Sequence, residues 1–389
     1  MARMPTCHSA DFGKDFSVMP VSSRLTNKSS SPIPATAMKN KDDLGRRGLI
    51  GAGLVGLGGV AGWLARKFQG PAQVRKPVPT ALDSRFVYDI SEFETTKPEL
   101  LLYDPGEHLP TGFERAKRLE SLPGGRYLVA GDRGVKFFSK DGKLESEFAL
   151  PAAPHCLLAA GDDELIVGFA KEFAVYDFSG AEKTRSPKLP GKAYLTSIAA
   201  TDETLYLGDG GNREVLVCDR RTGEVVDQFG KKDEAKNNPG FAVPSPYFDL
   251  TVADDGKLRV VNPGRLRVET YSLDGRYESS WGGPGLRIDR FCGCCNPVYF
   301  DMMPDGSFIT SEKGLARVNI YGPDGQFKGA VAGPETLVDD KELAKRACSD
   351  CSVGAGFDVA LQDEGRVLVL DPFRMVVRPF TPKETAATT

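Results

Sequence analysis

Five of the eight cysteines in this 389-residue chain fall in two short stretches, Phe291-Cys292-Gly293-Cys294-Cys295-Asn296-Pro297 and Cys348-Ser349-Asp350-Cys351. Thiols at that density suit three kinds of chemistry. Four thiolates complete a tetrahedral zinc site or hold an iron–sulfur cluster. Paired thiols oxidise to disulfides that pin loops together in an oxidising compartment. A CxxC pair whose thiol pKa is lowered exchanges disulfides. Cys292 with Cys295, and Cys348 with Cys351, both have CxxC spacing. Cys292, Cys294, Cys295, Cys348 and Cys351 form a ligand pool large enough for a metal or iron–sulfur centre, with Asn296 and His155 as groups that orient the ligands from behind. Against the cluster, CxCC is not a ferredoxin spacing. Against disulfides, five is an odd number, and the adjacent Cys294 and Cys295 bridge each other only with strain. All three readings stay open, with the metal centre placed first and structural bridging next.

Other residue types offer less. The chain has three histidines, His8, His108 and His155, so a three-histidine metal site is nearly excluded, and no CxxCH haem attachment motif is present. Asp249, Asp301 and Asp358 recur in comparable surroundings; they are expected to satisfy backbone groups between repeats rather than to form an acidic ring for catalysis. Asp162-Asp163-Glu164 and Asp254-Asp255-Gly256 read as hairpin turns, without the spacing of a calcium loop. Cys156 and Cys218 sit beside strand-like apolar residues and read as core. No nucleophile elbow, Walker loop or dinucleotide fingerprint occurs in a credible context. A net charge of −3 leaves no basic field for nucleic acid.

The elements that must position these residues follow from a repeat. Forty-three glycines and twenty-seven prolines favour many short strands over long helices. Turn pairs recur at Asp141-Gly142, Ser179-Gly180, Thr222-Gly223, Asp274-Gly275 and Asp324-Gly325, 38 to 52 residues apart. Four short strands per repeat at that spacing predict an all-β, six-bladed propeller, with blades starting near residues 114, 155, 194, 247, 298 and 357. The sixth blade has three evident strands, and Arg85–Ile90 or Glu99–Asp104 is expected to supply the fourth and close the ring. Gly208-Asp209-Gly210-Gly211-Asn212-Arg213 with Val215-Leu216-Val217, Phe248-Asp249, Phe357-Asp358 and Arg317-Val318-Asn319-Ile320-Tyr321 resemble NHL repeats across residues 85–381. The resemblance implies the fold and no particular activity.

Each cysteine stretch precedes the inner strand of a neighbouring blade, so both are expected on one face, at the channel mouth. His155 holds the comparable place across the ring, and the 231–246 insertion, with Phe241-Ala242-Val243-Pro244, is expected as an ordered surface loop on that face.

Residues 1–40 are polar and aperiodic and read as a disordered extension. Residues 41–67 carry Arg46-Arg47 ahead of an uncharged, glycine-rich run from Gly48 to Ala65, and resemble a twin-arginine export signal. As a helix, 48–65 reaches about 27 Å, marginal for a bilayer, so the segment is a signal or a membrane anchor. A linker at 68–84 and a disordered tail at 382–389 complete the expected organisation. The sequence thus predicts an exported or membrane-tethered propeller on the extracytoplasmic (periplasmic) side, with a cysteine-lined site for a metal or iron–sulfur centre and a redox or other protein partner at the loop face. The alternatives are a binding scaffold with disulfide-braced loops, or a small-molecule enzyme using channel carboxylates.

Overall fold

The computed structural model describes residues 90–293, 295–338, 340 and 356–384. The extension, export segment and linker expected over 1–84, the strand option beginning at Arg85, Cys294, Cys348, Cys351 and the tail from 385 onward lie outside those residues.

Six antiparallel sheets make the six blades. Their inner strands are Ala116–Ser121, Cys156–Ala160, Leu195–Ala200, Leu250–Val252, Tyr299–Met302 and Asp358–Leu361, within a few residues of the expected starts. These strands pack on one another around the centre. Blade six is completed from the N-terminal side: Tyr103–Pro105 and Leu109–Pro110 both pair with Val376–Pro382. This is the second of the two expected closures, shifted by a few residues. Just before it, Leu102 N donates to Ala330 O of blade five at 2.9 Å, so the entering chain covers that blade's outer edge. The last blade also runs further than expected: Lys383 N donates to Leu102 O, and the propeller ends past residue 381.

Each blade interface holds one apolar seam, and strand periodicity explains how. Alternate side chains of a strand point to opposite faces of its sheet. In Tyr127–Gly131, Leu128 and Ala130 enter the seam with blade two, while Tyr127 and Val129 enter the seam with blade six. A blade buried on both faces therefore reads as continuous apolar sequence in its second strand, and Tyr127–Gly131 and Val367–Asp371 are buried throughout. Outer strands such as Leu144–Ala149 and Val225–Phe229 are mostly exposed.

The outer hairpin turns follow the expected chemistry and add a packing reason for it. Gly142, Gly180, Gly223, Gly275 and Gly325 all have positive φ, from 72° to 88°. At four of them a Cβ would also come within 3 Å of a large side chain from the preceding blade: Leu109, Phe148, Phe229 and Trp281 respectively for Gly142, Gly180, Gly275 and Gly325. A Cβ at Gly325 would overlap Trp281, whereas one at Gly256, also at positive φ, meets nothing within 4 Å. Gly256→Ala should therefore cost about 1 kcal/mol, from backbone strain alone, and Gly325→Ala about 2–4 kcal/mol, on urea unfolding. Equal losses would show that the blade-to-blade contact adds nothing.

Candidate functional site

Residues that immediately precede the inner strands arrive at one end of the channel. His155 and Tyr194 hold that position in blades two and three, and Tyr247 and Asn296 lie three residues before the inner strands of blades four and five. The cysteine loop reaches it from the seam between blades four and five, where Phe291 is fully buried against Trp281 and Tyr321.

The loop is held from beneath by a buried ion pair. Glu312 and Arg317, 0% and 2% exposed at their side chains, lie 2.9 Å apart in adjacent strands of blade five. Glu312 accepts the Cys292 backbone N–H at 2.9 Å and Asn319 Nδ2 at 3.3 Å. Arg317 donates to the carbonyls of Leu286 and Arg290, at 3.1 and 3.0 Å. Burial pushes the Glu312 carboxyl up, with Arg317 opposing that shift. Asn296 closes the loop: its Nδ2 donates to Cys292 O at 2.7 Å and Lys313 O at 2.9 Å, and its Oδ1 accepts from Lys313 N at 3.0 Å. The same Nδ2 lies 3.7 Å from Cys292 Sγ. Cys292 and Cys295 are both buried.

Of the expected ligand pool, Cys292 lies against Asn296 and Cys295 is buried in the same loop, while Cys294, Cys348 and Cys351 lie outside the described residues. Among the described residues, no group of three or more His, Cys, Asp or Glu is placed to hold a metal ion. His155, on blade two, instead lies against Tyr194, ring centroids 4.5 Å apart. Burial, then the Lys117 ammonium, lowers its pKa to about 4, so it is neutral at physiological pH. Cys156 and Cys218 are core, as expected: both are free and buried in the seam between blades two and three, where burial raises each thiol to about 12. Such thiols are inert.

Phe241-Ala242-Val243-Pro244 is not a surface loop. Phe241 and Val243 are buried in the seam between blades three and four, where Phe241 meets Phe248 edge-on at 4.9 Å. The alternating apolar residues signalled this, but an insertion between blades hides which way they turn.

The channel carboxylates work between blades. Asp249 accepts Phe300 N of blade five at 3.1 Å, Asp301 accepts Leu361 N of blade six at 2.7 Å, and Asp358 accepts Leu119 N of blade one at 2.9 Å. They also line the channel, because one cation sits among them. Arg118, from blade one, places Nε 3.3 Å from Asp358 and Nη2 3.8 Å from Asp249, with its guanidinium 4.5 Å from the Tyr299 ring centroid. Two residues further along the strand, toward the opposite end of the channel, burial and then the Asp301 carboxylate hold the Glu120 carboxyl well above the usual range, with Arg118 opposing. Neither Arg118 nor Glu120 was visible as a site residue in the sequence. The acidic turns are ordinary: Asp163 accepts Phe178 N at 2.8 Å and Asp255 pairs with Arg259 at 2.6 Å.

No protein-family model matches the chain, and neither does any curated protein sequence. Solved structures with a similar course include a streptogramin B lyase, at 11% identity over 72% of this chain and 98% of that one, TM-score 0.48. A virginiamycin B lyase from Staphylococcus aureus is similar at 11% identity over 69% and 82%, TM-score 0.45. A protein of unknown function from Bacteroides thetaiotaomicron is similar at 15% identity over 72% and 73%, TM-score 0.48. At these values the likenesses carry no argument, and the fold rests on the six sheets themselves.

Burial raises the Asp249 carboxyl to about 7, with Arg118 opposing. An acid raised on folding binds more protons folded than unfolded, so its contribution to stability is full below about pH 4 and is lost as pH rises through about 7. His155, lowered to about 4, acts with the opposite sign over much of the same window. Asp249→Asn keeps an oxygen for Phe300 N and removes the titration. On urea unfolding at pH 4 and pH 7, this variant should lose less stability with rising pH than the parent, by about 2–4 kcal/mol. Identical pH profiles would contradict the assignment.

Proposed function

We propose that this chain is an exported or membrane-tethered propeller whose working surface is the face bearing the 291–297 loop. In this reading the loop's thiols, with Cys348 and Cys351, hold an iron–sulfur centre that serves electron transfer with a protein partner docking there, or a redox-inert zinc ion that fixes the docking surface. The observation that carries the reading is the condition of Cys292 and Cys295. This CxxC pair is shielded from solvent in a loop fixed by Glu312, Arg317 and Asn296, and Asn296 Nδ2 lies 3.7 Å from Cys292 Sγ. Thiolate centres need sulfurs held in place beforehand and N–H groups directed at them, and both conditions are met by residues that would serve no purpose on a mobile loop. Placement outside the cytoplasm rests on Arg46-Arg47 and the glycine-rich run that follows.

A second reading is favoured by the same support seen differently. The Glu312–Arg317 pair and Asn296 anchor the loop without any metal, so the cysteines would serve as disulfide braces on a binding scaffold. Catalysis by the channel carboxylates is disfavoured, because Asp249, Asp301 and Asp358 each hold a neighbouring blade's backbone N–H.

Metal and acid-labile sulfide content, measured on full-length protein purified without oxygen, separates the readings. The metal reading expects zinc, or iron with sulfide, in stoichiometric amount and lost in Cys292→Ser. Metal-free protein with its loop cysteines oxidised to disulfides would overturn it and leave the scaffold.

A further inference from the structure

The end of the channel opposite the cysteine loop holds an open cavity of about 800 Å³. It lies where the inner strands of blades one, five and six end, so its walls are the residues at and just past those ends: Ser121, Leu122, Met303 and Leu361, with Tyr103 from the closing strand. Its volume is that of a whole small-molecule site. The wall is largely apolar, and the charges around it are mostly negative. Asp305, Asp363 and Glu364 stand at the rim. Their existing partners are peripheral: Lys328 at 3.3 Å from Asp305, Lys140 at 3.9 Å from Glu364, and the Gly125 N–H at 3.1 Å from Asp363.

Two further observations point to a ligand that donates hydrogen bonds and carries positive charge. Gln362 lines the cavity and is 6% exposed. Its Nε2 donates to the carbonyls of Gly125 and Arg126, at 2.5 and 3.3 Å, and its Oε1 has no hydrogen-bond partner among the described residues. A buried acceptor left unmatched is costly unless something donates to it. Deeper in the channel, Glu120 precedes the wall residue Ser121, and Asp301 accepts the N–H of the wall residue Leu361. Arg118, two residues earlier, is engaged with Asp249 and Asp358, and among the described residues the Glu120 carboxylate makes no hydrogen bond or ion pair. Burial and Asp301 keep Glu120 far from its ordinary titration range, a penalty that a cation would relieve.

We infer that this cavity binds a small organic amine: an apolar body lies against Leu122, Met303 and Leu361, and an ammonium group reaches inward toward Glu120 and Gln362 Oε1. The site is separate from the cysteine loop and does not depend on what that loop holds.

Calorimetric titration of the full-length protein with n-hexylamine, hexan-1-ol and hexanoate tests this. The amine should bind at least about tenfold more tightly than either control, as a charge-assisted contact requires. Glu120→Gln should weaken the amine about tenfold or more and leave hexan-1-ol unchanged, and Met303→Trp, which fills the cavity, should abolish amine binding. Equal affinities for the three probes, amine binding that is unchanged in Glu120→Gln, or binding that survives Met303→Trp would each overturn the inference. Tighter binding of a lysine-containing peptide than of hexylamine would overturn the assignment to a small molecule.

Discussion

The propeller is organised around one guanidinium. Arg118 leaves the inner strand of blade one and reaches carboxylates on blades four and six while lying over the Tyr299 ring of blade five. A ring of blades has no central element of its own to hold it together. Each of the carboxylates that Arg118 meets also accepts a backbone N–H from the next blade: Asp358 uses Oδ2 for both, and Asp249 gives Oδ1 to Arg118 and Oδ2 to Phe300, so the ion pairs and the inter-blade hydrogen bonds share the same carboxylates. The arrangement is expensive in isolation, since burying charges costs several kcal/mol apiece, and it becomes tolerable because the cation and the carboxylates arrive in one place. Asp301 and Glu120, on the side away from the cysteine loop, form no ion pair with Arg118 among the described residues, and although Arg118 opposes the Glu120 shift, burial holds both carboxyls above their ordinary range.

The same logic, a buried ion pair that fixes backbone, recurs at the cysteine loop. Glu312 and Arg317 are adjacent in a hairpin of blade five, and between them they hold the backbone of residues 286, 290 and 292. Asn296 then ties the far end of the loop to Lys313 of that hairpin. The rigidity of the loop is therefore a property of blade five, and the thiols inherit it. Elsewhere the blades meet through apolar seams with scattered polar contacts, such as Ser197 Oγ to Phe248 O at 2.7 Å and Arg220 to Glu164 at 2.7 Å, and the outer turns add a second constraint. A glycine there is needed for its backbone angle and, in four of five turns, for room beside a large side chain of the neighbouring blade.

Much of the fold was legible because it is written locally. Turn pairs ending in glycine specify positive φ, and their spacing counts strands per repeat; the structure bears out the turns, the six blades and the role of Asp249, Asp301 and Asp358 between blades. What the sequence did not disclose depends on partners far along the chain. Arg118 stands in Ala116-Lys117-Arg118-Leu119, which reads as an ordinary strand edge; its importance comes from residues 131 and 240 positions away. Glu312 and Arg317 look like exposed hairpin charges until the chain from 286 to 292 is laid over them. Phe241 and Val243 were read as surface because nothing local says which seam an insertion enters. Cys292 and Cys295 lie buried just ahead of the inner strand of blade five, where their stretch was expected, and Asn296 holds the loop's backbone.

The claim on which most of this rests is that Arg118 locks the ring, and a double-mutant cycle on urea unfolding addresses it directly. Arg118→Met alone strands two carboxylates in the channel and should cost about 3–5 kcal/mol. In an Asp249→Asn, Asp358→Asn background, where the acceptors remain and the charges do not, the same substitution should cost far less, giving a coupling energy of about 2 kcal/mol or more. Additive losses, or an Arg118→Met protein as stable as the parent, would contradict the account and leave the ring held by its seams alone.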